Sequence, residues 1–337
     1  MPNQPSNAIE QAINTLKKGS VIGLPTETVY GLAGDIDNPE AIRSIFRIKN
    51  RPFFDPLIVH SFSIAEARKL TTAWNPIAEV LANRFWPGPL TLVMPKADRI
   101  SDLITSGLQT VGIRIPRHPM AIELLRKYGI PLAAPSANKF GKTSPTTAEH
   151  VRTEFINEEL FVLDGGSCEV GLESTVLSVI GKKIQILRTG QISETDIKNE
   201  LTLNRVEFLM DLMIDKKLAP GHMKHHYMPE VPLITFSASN VPKAAEDVVN
   251  AVKARFNQLP DEIESVKILK PQKWEKIRFL SFSKEPSLAA RELYSLLRSE
   301  AEKKPDLLVF QKEIYHQGEQ WESFLDRIQK ASSLVID

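Results

Sequence analysis

The chain has 337 residues, a length that fits two domains better than one because domains usually span about 100 to 200 residues. Hydrophobic residues make up 42% of it and charged residues 25%, which argues against a disordered or membrane-embedded protein, and the net charge of +1 argues against a surface built for nonspecific nucleic-acid binding. With one cysteine, Cys168, no signal-like N-terminal segment and no apolar run of about 20 residues, we expect a cytoplasmic protein.

The first half of the chain predicts a mixed α/β fold. Apolar residues at Ile9, Ala12, Ile13 and Leu16, followed by Gly19, predict a helix that leads into a strand at 21–24. Further helices are predicted at 39–48, 75–85, 119–128 and 147–154. Further strands are predicted at 57–59, 90–93, 110–115, 132–134, 161–163, 175–179 and 184–187.

A polar turn follows the first predicted strand. Pro25 removes a backbone donor and should end that strand, so Thr26, Glu27, Thr28 and Tyr30 would crowd its exit. Open α/β sheets bind their ligands at strand exits. The turn is therefore a candidate ligand-binding segment.

A basic cluster comes next. Arg43, Arg47, Lys49 and Arg51 lie on or just beyond one amphipathic helix that ends before Pro52. Guanidinium and ammonium groups bind phosphate and carboxylate oxygens, so the cluster predicts an anionic ligand. The alternative is a solvated helix face, and the neighbouring hydroxyl-rich turn favours the ligand.

The pattern changes after residue 191. A charged, helix-like segment is followed by APGHMKHHYMPEVP. The proline and glycine residues of this second segment disfavour a helix or strand and predict a linker. Beyond it, strands at 233–236, 277–281, 307–310 and 334–336 alternate with helices at 241–256, 288–297 and 321–328. This alternation predicts a small parallel-sheet domain.

Several segments together resemble the YrdC/Sua5 family. They are PTETVYGL, the triplet KNR at 49–51, DPLIVH ending at His60, WPGPLT from Trp86 and APSAN from Ala134, and they occur in the family's order. PGHMKHHYMP resembles the interdomain linker of the long Sua5 form. The resemblance implies a YrdC-like mixed twisted sheet domain with a ligand cleft at 1–203, a linker at 204–232 and a smaller Rossmann-like C-terminal domain at 233–337, with regulation or lid control as the role of the last.

The resemblance also implies a reaction. Members of the family are threonylcarbamoyl-AMP synthases, which condense L-threonine, bicarbonate or CO2, and ATP with Mg2+, and release pyrophosphate. The implied partners are those substrates, a downstream t6A transferase complex that modifies tRNA and a weak contact with tRNA, with no membrane partner. Such a site must bring an anionic carbamate beside a more anionic nucleotide, which calls for positive charge and close positioning rather than a covalent enzyme intermediate.

The resemblance assigns residues to an L-threonine site. Arg114, in VGIRIP, matches the arginine expected to clamp the threonine carboxylate, and an arginine in such an apolar strand is costly unless it is paired. The implied threonine-binding residues are Thr28, His60, Arg114, Ala134 and Ser174.

The resemblance also assigns residues to catalysis and to ATP. Lys49 and Arg51 match the family's catalytic KxR pair, which would neutralise phosphate charge. Two positions depart from the family pattern. Asp55 stands where asparagine is common. Lys224 stands where some relatives have an aromatic residue, so closure of the linker over ATP would depend on Lys224 or Tyr227. The implied ATP-binding residues are Arg51, Asp55, Thr110, Ser136, Asn138, Ser144, Arg188 and Lys224.

A purely structural interpretation would leave Lys49, Arg51 and Arg114 clustered for no reason, and three further interpretations compete with the enzyme. An RNA-binding module would suit a basic concave surface, although exposed aromatic and basic residues are not interleaved. A hydrogenase-maturation protein with a YrdC-like domain would need cysteine-rich zinc motifs, and the chain has one cysteine. Zinc binding by His222, His225 and His226 is disfavoured because the linker explains this run, and we predict no metal site built from protein ligands.

Overall fold

The computed structural model describes residues 5–211, 226–242, 244–256 and 274–336. The chain forms two compact units, one of Met1–Phe140 and Ser144–His222, the other of Gly141–Thr143 and Met223–Asp337. None of the helices within these described ranges has the length and apolar character needed to cross a membrane. The predicted linker, at 204–232, falls partly outside the described ranges and stays a prediction.

The helices of the first unit start and end where the sequence supplies capping residues. In α2, the Asn38 side chain accepts hydrogen bonds from the backbone of Glu40 and Ala41, Pro39 occupies the first turn, and Asn50 ends the helix with a left-handed φ of 51°. The helices are α1 (Pro5–Lys17), α2 (Pro39–Lys49), α3 (Ile64–Arg68), α4 (Pro76–Phe85), α5 (Asp102–Thr105), α6 (Pro119–Tyr128), α7 (Ala148–Glu154) and α8 (Glu194–Leu203).

A ten-stranded mixed sheet, with the order β10-β9-β8-β4-β5-β3-β6-β2-β1-β7, forms the centre of the first unit. Its parallel pairs include β3 with β5 and β4 with β8, and its antiparallel pairs include β4 with β5 and β1 with β2. The strands are β1 (Ile22–Leu24), β2 (Gly31–Asp35), β3 (Ile58–His60), β4 (Leu90–Pro95), β5 (Thr110–Arg114), β6 (Leu132–Ala133), β7 (Phe161–Val162), β8 (Thr175–Ile180), β9 (Lys183–Arg188) and β10 (Leu209–Met210). The mixed sheet predicted for the first domain is confirmed.

The core of this unit includes the apolar stripe predicted for the first helix. Ile9, Ala12 and Leu16 of α1 are fully buried and pack in one cluster with Leu124 and Leu125 of α6. Burial of large aliphatic side chains contributes about 1.5 to 3 kcal/mol each, so this face anchors α1 to the sheet.

The second unit has a four-stranded parallel sheet with the order β12-β13-β11-β14. Ile234, Phe236, Val248, Leu307 and Val309 form its core. Its described elements are β11 (Leu233–Phe236), α9 (Ala245–Phe256), β12 (Ile277–Leu280), α10 (Pro286–Glu302), β13 (Leu307–Gln311), α11 (Glu319–Ala331) and β14 (Leu334–Ile336). The parallel alternation predicted from the sequence is confirmed.

Candidate functional site

Arg114 lies at the end of β5 and makes three polar contacts in the interior of the first unit. Its Nη2 forms an ion pair with Glu27 Oε1 at 2.7 Å, its Nη1 donates to Thr28 Oγ1 at 2.9 Å, and its Nε donates to the Gly88 carbonyl at 3.1 Å. Arg114, Glu27 and Thr28 are all buried. The partner that an arginine in this strand required is therefore Glu27, in the polar turn after β1.

The turn that carries Thr28 is fixed by hydrogen bonds from within. Thr26 Oγ1 donates to the Val29 carbonyl at 2.6 Å and accepts from the backbone N–H groups of Thr28 and Val29, each at 3.2 Å. The Glu27 carboxylate also accepts from the Arg117 backbone N–H at 3.0 Å. Thr28 and Glu27 therefore face Arg114 in a preset geometry, which limits the entropy lost when a ligand binds.

Arg188 and Ser174 lie in direct contact. Arg188 Nε donates to the Ser174 carbonyl at 3.1 Å and its Nη2 to Ser174 Oγ at 3.2 Å, while Ser174 Oγ also bonds to Thr91 Oγ1 at 2.8 Å. The first of these residues is a predicted ATP ligand and the second a predicted threonine ligand. Their contact joins the predicted ATP-binding residues directly to the predicted threonine-binding residues.

His60 is a buried neighbour of Arg114. In the sheet register it stands opposite Arg114 on β5 and opposite Leu132 on β6, and the Ala134 backbone N–H donates to the Ile58 carbonyl at 2.9 Å. Burial, followed by repulsion from the Arg114 charge, lowers the pKa of His60 to about 3. A neutral imidazole can form the wall of a pocket beside Arg114 without competing for its anion.

Replacing His60 by glutamine should make the free energy of unfolding fall less steeply as the pH is lowered below about 6.5. Since the folded pKa is about 3 against 6.5 for the free side chain, the unfolded state binds more protons between these values and stability falls as pH falls. His60 should contribute up to about 1.4 kcal/mol per pH unit to that loss. Urea unfolding at a series of pH values from neutral to mildly acidic measures it, and wild-type and His60→Gln profiles that stay parallel would contradict it.

Lys49, at the end of α2, forms hydrogen bonds to the loop that carries the predicted ATP ligands Ser136 and Asn138. Its Nζ donates to the Ser136 carbonyl at 2.5 Å and also to the Asn138 carbonyl. Lys49 is 1% exposed, and burial, followed by the Arg51 charge, lowers its pKa well below the usual value. Its contacts in this structure are with the loop backbone, a structural role that the sequence did not predict.

Arg51 and Asp55 form a buried ion pair. Arg51 Nη2 lies 2.8 Å from Asp55 Oδ2 and 2.9 Å from the Pro56 carbonyl, and Arg51 Nε donates to the Asp55 carbonyl at 3.0 Å. Burial raises the pKa of Asp55, and the Arg51 charge opposes this rise. The anion that departs from the family pattern therefore has a local function, which is to hold the Arg51 guanidinium.

Ser144 lies on a loop attached to the polar turn. Ser144 Oγ donates to Glu173 Oε1 at 2.6 Å. Tyr30 donates its backbone N–H to the Pro145 carbonyl at 2.9 Å and accepts from the Ala137 N–H at 2.7 Å. The backbone of Tyr30 therefore joins the loop with Ser144 to the loop with Ser136 and Asn138.

Thr110 lies apart from the Arg114 cluster. It begins β5, which Arg114 ends, so the two lie about 13 Å apart along the strand at about 3.3 Å per residue. Lys224, His222 and His225 lie outside the described residues. Within the described part of the chain, no group of three or more His, Cys, Asp or Glu side chains is placed to hold a metal ion.

Two acidic residues of the site were not among the predicted ligands. Glu27 pairs with Arg114, and Glu173 accepts from Ser144. The signal for Glu27 was its position between two threonines next to a predicted strand end, together with the need of Arg114 for an anion. The signal for Glu173 was its position in GLEST directly before Ser174, a predicted threonine-binding residue.

Two family profiles match this chain. The profile described as "Telomere recombination", of the Sua5, YciO and YrdC proteins, matches residues 14–190, and the profile described as "Threonylcarbamoyl-AMP synthase, C-terminal domain" matches residues 183–333. A threonylcarbamoyl-AMP synthase of Bacillus subtilis is 42% identical over 67% of this chain and 65% of its own length. One of Pyrococcus abyssi is 38% identical over 67% of each chain. The match thus spans about two thirds of the length of these curated relatives.

A solved structure resembles the chain over its whole length. The crystal structure of Pyrococcus abyssi Sua5 complexed with L-threonine aligns with a TM-score of 0.81 and 29% identity, covering 100% of this chain and 98% of that one. A variant of the same protein that carries two alanine substitutions aligns with a TM-score of 0.80 and 28% identity over 99% and 95%. With both profiles matched and their segments in one order, the chain belongs to the YrdC/Sua5 family and carries its Sua5 C-terminal domain.

Proposed function

We propose that this protein is a threonylcarbamoyl-AMP synthase that makes threonylcarbamoyl-adenylate from L-threonine, bicarbonate or CO2, and ATP. The observation that carries this proposal is the buried Arg114, held by Glu27 and Thr28 at the end of β5. A guanidinium fork matches a carboxylate, and the Thr28 hydroxyl beside it can bond to a second polar group of the same ligand. The L-threonine bound by the Pyrococcus relative supports this ligand.

The reaction requires a carbamate to attack a nucleotide. The threonine amine and bicarbonate first give a carbamate and water. A carbamate oxygen then forms a bond to the α-phosphorus of ATP, while the bond from that phosphorus to the bridging oxygen breaks and pyrophosphate leaves. Arg114 would hold the threonine carboxylate, the neutral His60 would wall the pocket, and Ser174 would contact both threonine and Arg188.

The nucleotide part of the proposal depends on cations and loops. Arg51 and Arg188 would neutralise phosphate charge, and Lys49 would act chiefly by holding the loop of Ser136 and Asn138. No covalent intermediate is required. Consistent with this, burial raises the pKa of Cys168, the only cysteine, to about 12, so that its thiol is a poor nucleophile.

Mg2+ is the cofactor that ATP would bring with it. The ion is commonly held by one or two carboxylates together with substrate phosphates, so it does not need a protein cage. Glu173, whose Oε1 accepts from the candidate ATP ligand Ser144, would be one carboxylate for this role. Mg2+ would supply charge neutralisation at the phosphate oxygens.

The proposal extends to partners and regulation. The product would pass to a t6A transferase complex that modifies tRNA, with a weak contact to tRNA itself. The linker and the C-terminal domain would control access to ATP, and Tyr227 and Lys224 are the linker residues proposed to take part. Thr110 and Lys224 complete the proposed ATP-binding set.

An RNA-binding module is the second candidate function. One observation favours it: Phe53 and Phe54 are 58% and 69% exposed, and Phe53 lines a surface cavity of about 460 Å3 together with Arg43 and Arg47. Exposed aromatic rings beside arginines can stack on bases. Both arginines form ion pairs with glutamates, which reduces the charge they offer to RNA.

Pyrophosphate release tests the two candidates against each other. The protein is incubated with ATP, Mg2+ and bicarbonate, with L-threonine, with L-serine or without amino acid, and mass spectrometry follows the adenylate. Threonine-dependent release with formation of threonylcarbamoyl-adenylate is the expected result. No threonine dependence, in folded protein that binds single-stranded RNA, would favour the RNA-binding module.

A further inference from the structure

We propose that Arg298 of α10 is a positioning residue for the candidate ATP ligand Ser144 and acts through the carbonyl of Thr143. The inference rests on the proposed function for its kinetic consequence. Its structural part depends on contacts within each unit and on the continuity of the chain between Thr143 and Ser144.

The segment Gly141–Thr143 belongs to the second unit, although the residues on both sides of it belong to the first. Met228 donates its backbone N–H to the Gly141 carbonyl at 2.8 Å, and Thr143 Oγ1 donates to the Tyr227 carbonyl at 3.1 Å. A parallel bridge joins Lys142 to Met228. Backbone contacts of Gly141 and Lys142 and the side-chain hydroxyl of Thr143 therefore fix this segment to the stretch around Tyr227.

Arg298 adds a charged contact to this segment, because its Nη2 donates to the Thr143 carbonyl. Tyr294 lies one helical turn before it on the same face of α10, and its ring is 5.7 Å from the ring of Tyr227. One face of α10 therefore contacts both Thr143, through Arg298, and the residue to which Thr143 is bonded, Tyr227, through Tyr294.

Tyr227 is itself a rigid anchor. Its side chain is 1% exposed, and the guanidinium of Arg327 lies 5.3 Å from its ring centroid. Arg327 is fully buried and pairs with Asp326, both on α11. A desolvated cation over an aromatic face attracts the ring more strongly than an exposed one, so Arg327 helps to hold Tyr227 in place.

The effect on Ser144 follows from peptide geometry. The Thr143 carbonyl and the Ser144 N–H belong to one planar peptide unit, so a bond that fixes the first also fixes the orientation of the second. Ser144 Oγ donates to Glu173, and the next residue, Pro145, accepts from Tyr30. On its C-terminal side, Ser144 is held by contacts of the first unit. On its N-terminal side, the bond from Arg298 to the Thr143 carbonyl sets the orientation of its backbone N–H.

Two variants and a control test this inference. Arg298→Ala should raise KM for ATP about tenfold, the effect of losing one charge-assisted hydrogen bond, with KM for threonine and kcat little changed. Arg298→Lys, which can still donate to a carbonyl, should restore part of that loss. Arg291→Ala is the control, since Arg291 lies on the same helix and is exposed.

Hydrogen exchange of the same proteins tests the structural part without any assay of activity. Amides in a peptide spanning residues 141–146 should exchange faster in Arg298→Ala, with Arg291→Ala like wild type. Unchanged exchange there, or equal losses in KM for ATP, KM for threonine and kcat, would overturn the inference. If wild type shows no threonine-dependent reaction while the exchange differs as expected, the proposed function fails and the positioning role stands.

Discussion

Arg114→Ala should abolish threonine-dependent pyrophosphate release. The substitution removes the only cation in the cluster of Arg114, Glu27 and Thr28, and it leaves the Glu27 anion buried without its ion-pair partner. Loss of one partner of a buried pair costs about 3 to 5 kcal/mol of stability. Steady-state kinetics and urea unfolding should show both effects in the same variant.

A lysine at the same position separates binding from folding. Arg114→Lys keeps a cation for Glu27 but loses the fork that holds Glu27 and Thr28 together, so we expect a smaller loss of stability and at least about a hundredfold loss in kcat/KM for threonine. Arg117→Ala is the matched control, because the Arg117 side chain is 47% exposed and pairs with Glu169 on the surface. A wild-type KM for threonine in Arg114→Lys would contradict the role of Arg114 as the carboxylate clamp.

Lys49→Met should weaken ATP binding strongly while the fold persists. Methionine fills a similar volume without the two donations to the Ser136 and Asn138 carbonyls. A hydrogen bond contributes about 0.5 to 1.5 kcal/mol net, so the loss of two, about 1 to 3 kcal/mol in sum, should raise KM for ATP by about 10 to 100-fold. Burial favours the apolar side chain, which limits the cost in global stability.

Calorimetric titration with ATP and kinetics at saturating threonine measure this effect. Lys139→Met is the control, because Lys139 lies on the same loop segment and is exposed. If Lys139→Met weakens ATP binding as much as Lys49→Met does, general surface charge and not the tie to the loop determines affinity. A normal KM for ATP in Lys49→Met would show that the loop is held without Lys49.

Secondary structure with a local pattern could be predicted from the sequence. The strands at 233–236 and 334–336 and the helix at 119–128 have the predicted bounds, because apolar runs, prolines and glycines mark them. Strand β2, Gly31–Asp35, was not predicted. Its sequence GLAGD has few β-branched residues, and its pairing with β1 and β6 comes from residues elsewhere in the chain.

The glycines of β2 show why such a strand escapes prediction. A Cβ at Gly31 would lie 3.1 Å from the Cβ of Ala134, and one at Gly34 would lie 3.2 Å from Cδ1 of Ile45. A side chain at either position would have to displace its neighbour by a few tenths of an ångström, so the close packing of other segments against this backbone favours glycine. No local pattern carries that information.

By itself, the sequence determined the class of the two folds, the family and the residue types of the candidate site. It also determined that Arg114 needs an anion, since an arginine in an apolar strand cannot stay unpaired. Only the tertiary structure decided that this anion is Glu27, that Asp55 pairs with Arg51, and that Lys49 holds the loop of Ser136 and Asn138. The reason is physical: periodicity and capping act over a few residues, whereas the pairing of buried charges depends on which strand ends and loops the sheet topology brings together.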